Sequence, residues 1–420
     1  MGFILLLAFA HFSHHVLTAL LVPLLPFIRN EFALSYAQSG FIVSAFTIAY
    51  GIAQIPAGWV ADKVGPRYLL LVGISGVALA GTVVGLSTSY LLLILALFLV
   101  GIAGGAYHPS ASSLISGTVP AKSRGPALGF HIIGGSASHF LAPLIAAGLV
   151  AALSWRGTFL TLAAPVFLLG VVVFVFQERR LRTEQATAGT TAGAPDGVDG
   201  PSGEAAQTAD PSPRDEEAEA PQSIPRIVVY LVLTGLFSAV IASVIAYVPL
   251  FLVDTHQVDE RLSAAFLSIV FAAGFYAAPL GGFISDRLGR IPVMVSLPIV
   301  LAPLFMLMPI VPFGLPFGAL LLAVGTLMFA RMPTSEAFLA ASVPKRLRGT
   351  VLGIYFFSGM EGSALLTPLL GSMIDRWGFS RSFTVTGAIL LVAGVLAAAF
   401  FFVTRRSGGA ASADPREETA

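Results

Sequence analysis

The chain contains no cysteine and little charge. Without cysteine there is no disulfide, no thiolate metal site and no cysteine nucleophile. Asp, Glu, Lys and Arg make up 11% of 420 residues, where a soluble domain carries about 25%. The formal charge of +1 gives no reason to expect nucleic acid as a partner. Neither H-E-x-x-H nor G-x-S-x-G occurs, so no enzyme is expected. Acid is absent from one long stretch, with no Asp or Glu between Asp62 and Glu178.

Hydrophobic residues make up 56% of the chain. They gather in apolar runs, each long enough to cross about 30 Å of hydrocarbon as a helix. The runs predict helices over 3–28, 36–61, 67–87, 90–117, 126–152 and 155–177. Six more follow at 225–254, 262–285, 291–312, 315–343, 349–374 and 380–403. The N-terminus lacks a basic leader and a clear cleavage site, so it reads as a first helix and not a signal peptide. Residues 183–222 hold nine acids and one base, Arg214. That composition predicts a disordered cytoplasmic linker between a bundle at 1–182 and one at 223–406. Residues 407–420 read as a disordered tail.

Lys and Arg set the orientation. With the N-terminus inside, 17 of the 23 fall on cytoplasmic segments. Arg29, Arg156, Arg261, Arg376 and Arg381 fall outside, and Arg331 lies within a helix. The positive-inside rule then places both termini in the cytoplasm, for a protein of the cell membrane.

A charged turn occurs twice. Gly58-Trp-Val-Ala-Asp62-Lys63-Val-Gly65-Pro-Arg67 returns as Gly282-Phe-Ile-Ser-Asp286-Arg287-Leu-Gly289-Arg290, an offset of 224. The same offset relates Val119-Pro120 to Val343-Pro344, Tyr107-His108-Pro109 to Arg331-Met332-Pro333, and Phe159 to Phe383. One constant offset across several helices indicates two homologous halves. The turn glycines allow close helix approach. Asp62 and Asp286 can accept hydrogen bonds at a helix N-terminus, braced by Arg67 and Arg290. The alternative is that the turns serve only as a topology signal.

The twin turns and the six-plus-six helices resemble the major facilitator superfamily over all but linker and tail. Gly104-Gly-Ala-Tyr-His-Pro-Ser and His11-Phe-Ser-His-His15 further resemble its fosmidomycin-resistance type of exporter. The resemblance implies an all-α membrane fold of twelve helices in two pseudo-symmetric bundles. It implies a monomeric secondary transporter of a small organic solute by alternating access, without a cofactor. The turns would act as cytoplasmic latches, and helices 1, 4, 7 and 10 would line a cavity. Two positions depart from the antiporter pattern of the family. The helix 5 proline, Pro143, is kept without its glycines, and Leu97 stands where helix 4 usually carries arginine.

His11, His14 and His15 share one helix face at i, i+3, i+4. With Tyr107 and His108 they are candidates for binding substrate, an anionic one included; the alternative is a packing face. No carboxylate or thiol accompanies them, and no metal site is assigned. His108 precedes Pro109, which predicts a kink. His131 and His139 read as packing residues on helix 5. Arg331, Glu336 and Glu361 lie within membrane helices, where charge is costly and points to a cavity or a partner. Arg331 joins the substrate candidates, with Glu361, a polar neighbour or an anionic solute as its partner. Glu336 and Glu361 are the proton-coupling candidates. The expectation is proton-coupled transport, efflux ahead of uptake. Uptake of an organic anion by symport or uniport is the alternative, and a receptor or scaffold is the remote one.

Overall fold

The computed structural model describes residues 2–191, 222–344 and 347–410. No strand occurs among them. The first half holds α1 (Gly2–Thr18), α2 (Leu21–Phe32), α3 (Tyr36–Val64), α4 (Pro66–Leu71), α5 (Val77–Gly85), α6 (Tyr90–Gly105), α7 (Tyr107–Thr118) and α8 (Ala121–Thr191). The second holds α9 (Ile224–His256), α10 (Glu260–Phe266), α11 (Ser268–Ala272), α12 (Ala277–Leu288), α13 (Arg290–Leu307), α14 (Leu315–Ser342) and α15 (Arg348–Ala410). α8 continues to Thr191 and α15 to Ala410, so the first positions expected to be linker and tail are helical. Residues 192–221 of the expected linker and 411–420 of the expected tail lie outside the described residues.

Nine helices among the described residues are long and apolar enough to span a membrane, or ten if Glu260–Phe275 and Ala277–Leu288 count as one bent span. Two of these run for 61 and 54 residues. At about 1.5 Å per residue, each far exceeds one bilayer crossing of about 30 Å. Each is two spans meeting at a non-helical residue, Ser154 in α8 and Gly378 in α15. Twelve spans result. Many apolar side chains are exposed, among them Ile55 at 69% and Leu91 at 66%, as a lipid-facing surface requires.

Proline explains two of the breaks. Pro23 cannot donate to the Ala19 carbonyl, and the helix is interrupted between Thr18 and Leu21. Pro109 cannot donate to Gly105, and the helix breaks at Ala106. The interruption falls two residues before His108, and Tyr90–Thr118 still runs as one span. A π-helical turn at Val72–Gly76 interrupts the third span.

The repeat extends to backbone dihedrals. Gly65 (φ 97, ψ 139) and Gly289 (φ 90, ψ 146) take the same conformation 224 positions apart. Ser154 (φ 63, ψ 171) and Gly378 (φ 73, ψ 171) do likewise. This region of backbone space belongs essentially to glycine. Ser154 is thus strained where its counterpart is not.

Contacts group the chain into two compact units that do not follow the sequence halves. The first takes the chain up to Leu20, Ala49–Ala142 and α8 from Leu153. The second takes Leu21–Ile48, Pro143–Ala152 and α9 to α15. Within the second unit a polar set ties Leu21–Ile48 to α9 and α15. Arg29 pairs with Asp254 at 2.5 Å, and the Tyr36 hydroxyl donates to the same carboxylate at 2.7 Å. Asp375 accepts from the backbone N–H groups of Tyr36 and Ala37, both at 2.9 Å. A carboxylate thereby caps the N-terminus of α3, where the helix dipole favours negative charge. Asn30 donates to Glu260.

Three outcomes follow for thermal unfolding in detergent. Ser154→Gly relieves strain and loses only a 3.4 Å bond from Gly157 N, so stability rises by about 1 kcal/mol; Gly65→Ala and Gly289→Ala lower it by about 1–3 kcal/mol. Asp375→Ala removes the cap and costs about 0.5–2 kcal/mol.

Candidate functional site

All six histidines of the first half's spans converge in the first unit. The i, i+3, i+4 face of α1 supplies His11, His14 and His15. His14 has no exposed surface and donates from Nδ1 to the Gly73 carbonyl at 2.7 Å. Gly73 sits in the π-helical turn, where the widened ladder makes a carbonyl available. The His14 Nε2 lies 3.4 Å from the Tyr50 hydroxyl. Tyr107 is fully buried, stacked on His14 at 4.4 Å and on His11 at 5.3 Å. His14 and Tyr107 are therefore packed into the bundle.

His11 and His131 tie α1 to α8. His11 Nδ1 donates to the His131 carbonyl at 2.8 Å, and His131 Nδ1 donates to the Leu7 carbonyl at 3.2 Å. Their rings stack at 4.2 Å. Gly134 permits this approach, since a Cβ there would collide with the Ala8 carbonyl. His11 Nε2 is buried and has no hydrogen-bond partner among the described residues. His15 and His108 are half-buried, with their Nε2 atoms 3.2 Å apart. The ring of His139 lies 4.7 Å from that of His15, and its Nδ1 donates to the Gly135 carbonyl.

The second unit holds Arg331 and Glu336 on α14. Arg331 Nη1 donates to the Tyr355 hydroxyl at 2.6 Å, and the guanidinium lies 5.3 Å from the Tyr355 ring centroid. Its Nε is buried with no hydrogen-bond partner among the described residues. No ion pair joins Arg331 to a carboxylate among them. Glu336 is half-buried. The side chain of Glu361 lies outside the described residues.

The twin turns differ from expectation in their side-chain contacts. Asp62 and Asp286 are exposed, and neither is braced by its arginine. Arg67 lies 3.4 Å from Glu178 at the end of the sixth span, and also donates to the Tyr68 hydroxyl. Arg290 donates to the Ala337 carbonyl at 3.1 Å. Both arginines are held by nearer partners on packed helices. The glycines need a correction too. A Cβ on Gly58 or Gly282 would meet no described atom within 4 Å. The close approach falls one residue earlier, at Gly281, where a Cβ would strike the Ala330 backbone. One residue is about 100° of helix rotation, so neighbouring glycines face different surroundings. What the turns do share is a cation over a ring. Lys63 lies 3.8 Å from the Trp59 centroid and Arg287 lies 4.1 Å from that of Phe283, again at offset 224.

The sequence profile of the Major Facilitator Superfamily matches residues 7–365. The chain belongs to that superfamily. It is 24% identical over 402 residues to the D-galactonate transporter of Escherichia coli O6:H1, covering 88% of this chain and 87% of that one. It is 22% identical over 386 residues to the cis,cis-muconate transport protein of Acinetobacter baylyi, covering 88% and 86%. Among solved structures, a bacterial homologue of the human lysosomal transporter Spinster, inward-facing and occupied, superposes with a TM-score of 0.76. That match covers 96% of both chains at 18% identity, which speaks to the fold alone.

This superfamily member is an integral membrane transporter, not an enzyme. Several of its contacts escape sequence reasoning. Glu178 and Tyr355, the partners of Arg67 and Arg331, carry no spacing signal. His131, read as packing, stacks on His11, a candidate ligand. The repeated ring-and-cation pair had a signal: an aromatic four residues before each turn's cation. Gly281→Ala should lower the unfolding temperature, an overpacking cost of about 1–3 kcal/mol. Gly282→Ala should leave it unchanged, and thermal unfolding of the two variants side by side checks the assignment.

Proposed function

We propose that this transporter carries a small organic anion, coupled to protons, by alternating access. Arg331 carries the reading. It is a guanidinium within a membrane span, its described hydrogen bond goes to a phenol, and its Nε has no acceptor among the described residues. A charge in that position is retained for a counter-charge, and a solute carboxylate supplies one with two oxygens for its N–H groups. Relatives named for galactonate and muconate transport agree with an anionic solute. His15 and His108, half-buried in the first unit, are the histidines proposed to meet solute. Glu336 and Glu361 are the proposed proton carriers.

The same reading sets the protein in the cell membrane as a monomer, termini and linker inside. The twin turns then lie at the cytoplasmic face and latch the halves in one state of the cycle. Asp254 and Asp375 lie at the opposite face. A second reading, efflux of a drug-like solute, draws on Gly104–Ser110, which straddles the break at Ala106. It is separated from the first by the direction of net flux.

Reconstituted protein assayed against a panel of labelled organic anions, with and without a pH gradient, tests the reading. Arg331→Ala removes a charged hydrogen-bond donor worth about 1.5–3 kcal/mol, so KM for the anion should rise about ten- to a hundredfold. Normal anion transport by a well-folded Arg331→Ala protein would contradict the role given to Arg331.

A further inference from the structure

The geometry points to a binding site for one divalent transition-metal ion, Zn2+ by its ligand set, at His11, His15 and His108. Each offers one ring nitrogen, and the three nitrogens lie within 4.8 Å of one another. Zinc bound to imidazole at about 2.0–2.1 Å in a tetrahedron spaces its ligands about 3.3–3.4 Å apart. His15 Nε2 and His108 Nε2 share a hydrogen bond at 3.2 Å; an ion would take the place of its proton, which shifts to the donor ring's Nδ1.

His11 is the second, independent sign. Its Nδ1 donates to the His131 carbonyl at 2.8 Å, which fixes the tautomer and leaves the Nε2 lone pair free. That Nε2 is buried without a hydrogen-bond partner among the described residues. An imidazole oriented by a backbone carbonyl on one nitrogen, with its other nitrogen unanswered, is the arrangement found in histidine metal ligands. On the far side of the cluster the Thr18 hydroxyl lies 3.4 Å from His15 Nδ1.

Three imidazoles make a complete protein ligand set for zinc with one coordination position open. The expectation of no metal rested on the missing carboxylates and thiols, and a three-imidazole site needs neither. With only neutral ligands the bound ion keeps its charge, so the open position takes an anion. His15 and His108 each keep some exposed surface. The inference concerns binding of the ion and does not rest on the transport reading.

The test uses full-length protein purified in detergent without a histidine tag and stripped with a chelator. Titration with Zn2+ is followed by calorimetry, and titration with Co2+ by visible absorption. The expected result is one tight equivalent and the intense visible bands of tetrahedral Co2+. His11→Ala, His15→Gln and His108→Gln should each abolish the tight equivalent, while His256→Ala retains it. Size-exclusion profiles identify any variant that fails to fold, and the wild-type Co2+ spectrum stands without them. The inference is overturned if the wild type binds no tight equivalent, if Co2+ gives only the weak spectrum of an octahedral ion, or if binding persists in the well-folded variants.

Discussion

Lipid offers no hydrogen-bond partner, so each polar group in the spans must be answered by the chain itself. Much of the structure follows from that constraint. Hydroxyls turn back onto their own helices, as Thr82 does to Ala78 and Ser110 to Ala106. Histidines reach carbonyls on neighbouring spans, and the π-helical turn at Val72–Gly76 presents one to His14. Asp375 answers the free N–H groups that begin α3. Against this background, His11 Nε2 and Arg331 Nε are among the buried side-chain nitrogens left without a hydrogen-bond partner among the described residues, as are those of Arg67, Gln177, Arg226 and His256. Of the first two, one lies in each unit. Both belong to groups that bind ligands well, an imidazole and a guanidinium.

The duplication governs the backbone more strictly than the chemistry. Gly65 and Gly289 share their dihedrals, Ser154 and Gly378 share theirs, and both turns carry a cation over a ring. Side chains in the spans have diverged. Tyr107, fully buried between two histidines, stands opposite Arg331, which bonds Tyr355. Pro109 breaks its helix, whereas Pro333 lies inside a continuous α14. A scaffold repeated twice thus holds an imidazole cluster in one half and a guanidinium in the other.

Much of the fold was legible in the sequence because the bilayer imposes a length and a composition on each span. The constant offset gave the second half from the first, and Pro109 marked its own break. The sequence was less informative about contacts. Arg67 meets Glu178, and Arg29 meets Asp254 across 225 positions. Such pairings depend on helix rotation and crossing, which hydrophobic runs do not encode in helices apolar on all sides. Adjacent glycines show the same limit: composition could not tell Gly281, pressed against Ala330, from Gly282, which faces open space. The helix 1 histidines shared a face as their spacing required, but that His131 would complete the cluster depended on how helix 5 packs.

The central claim is that movement of an organic anion and of protons are one process. The most direct measurement is the internal pH of proteoliposomes loaded with a pH-sensitive dye, as an anion gradient is applied with no initial pH gradient. The account predicts a pH change inside the vesicles that requires both the protein and a transported anion. Accumulation of the anion with the internal pH unmoved would contradict it.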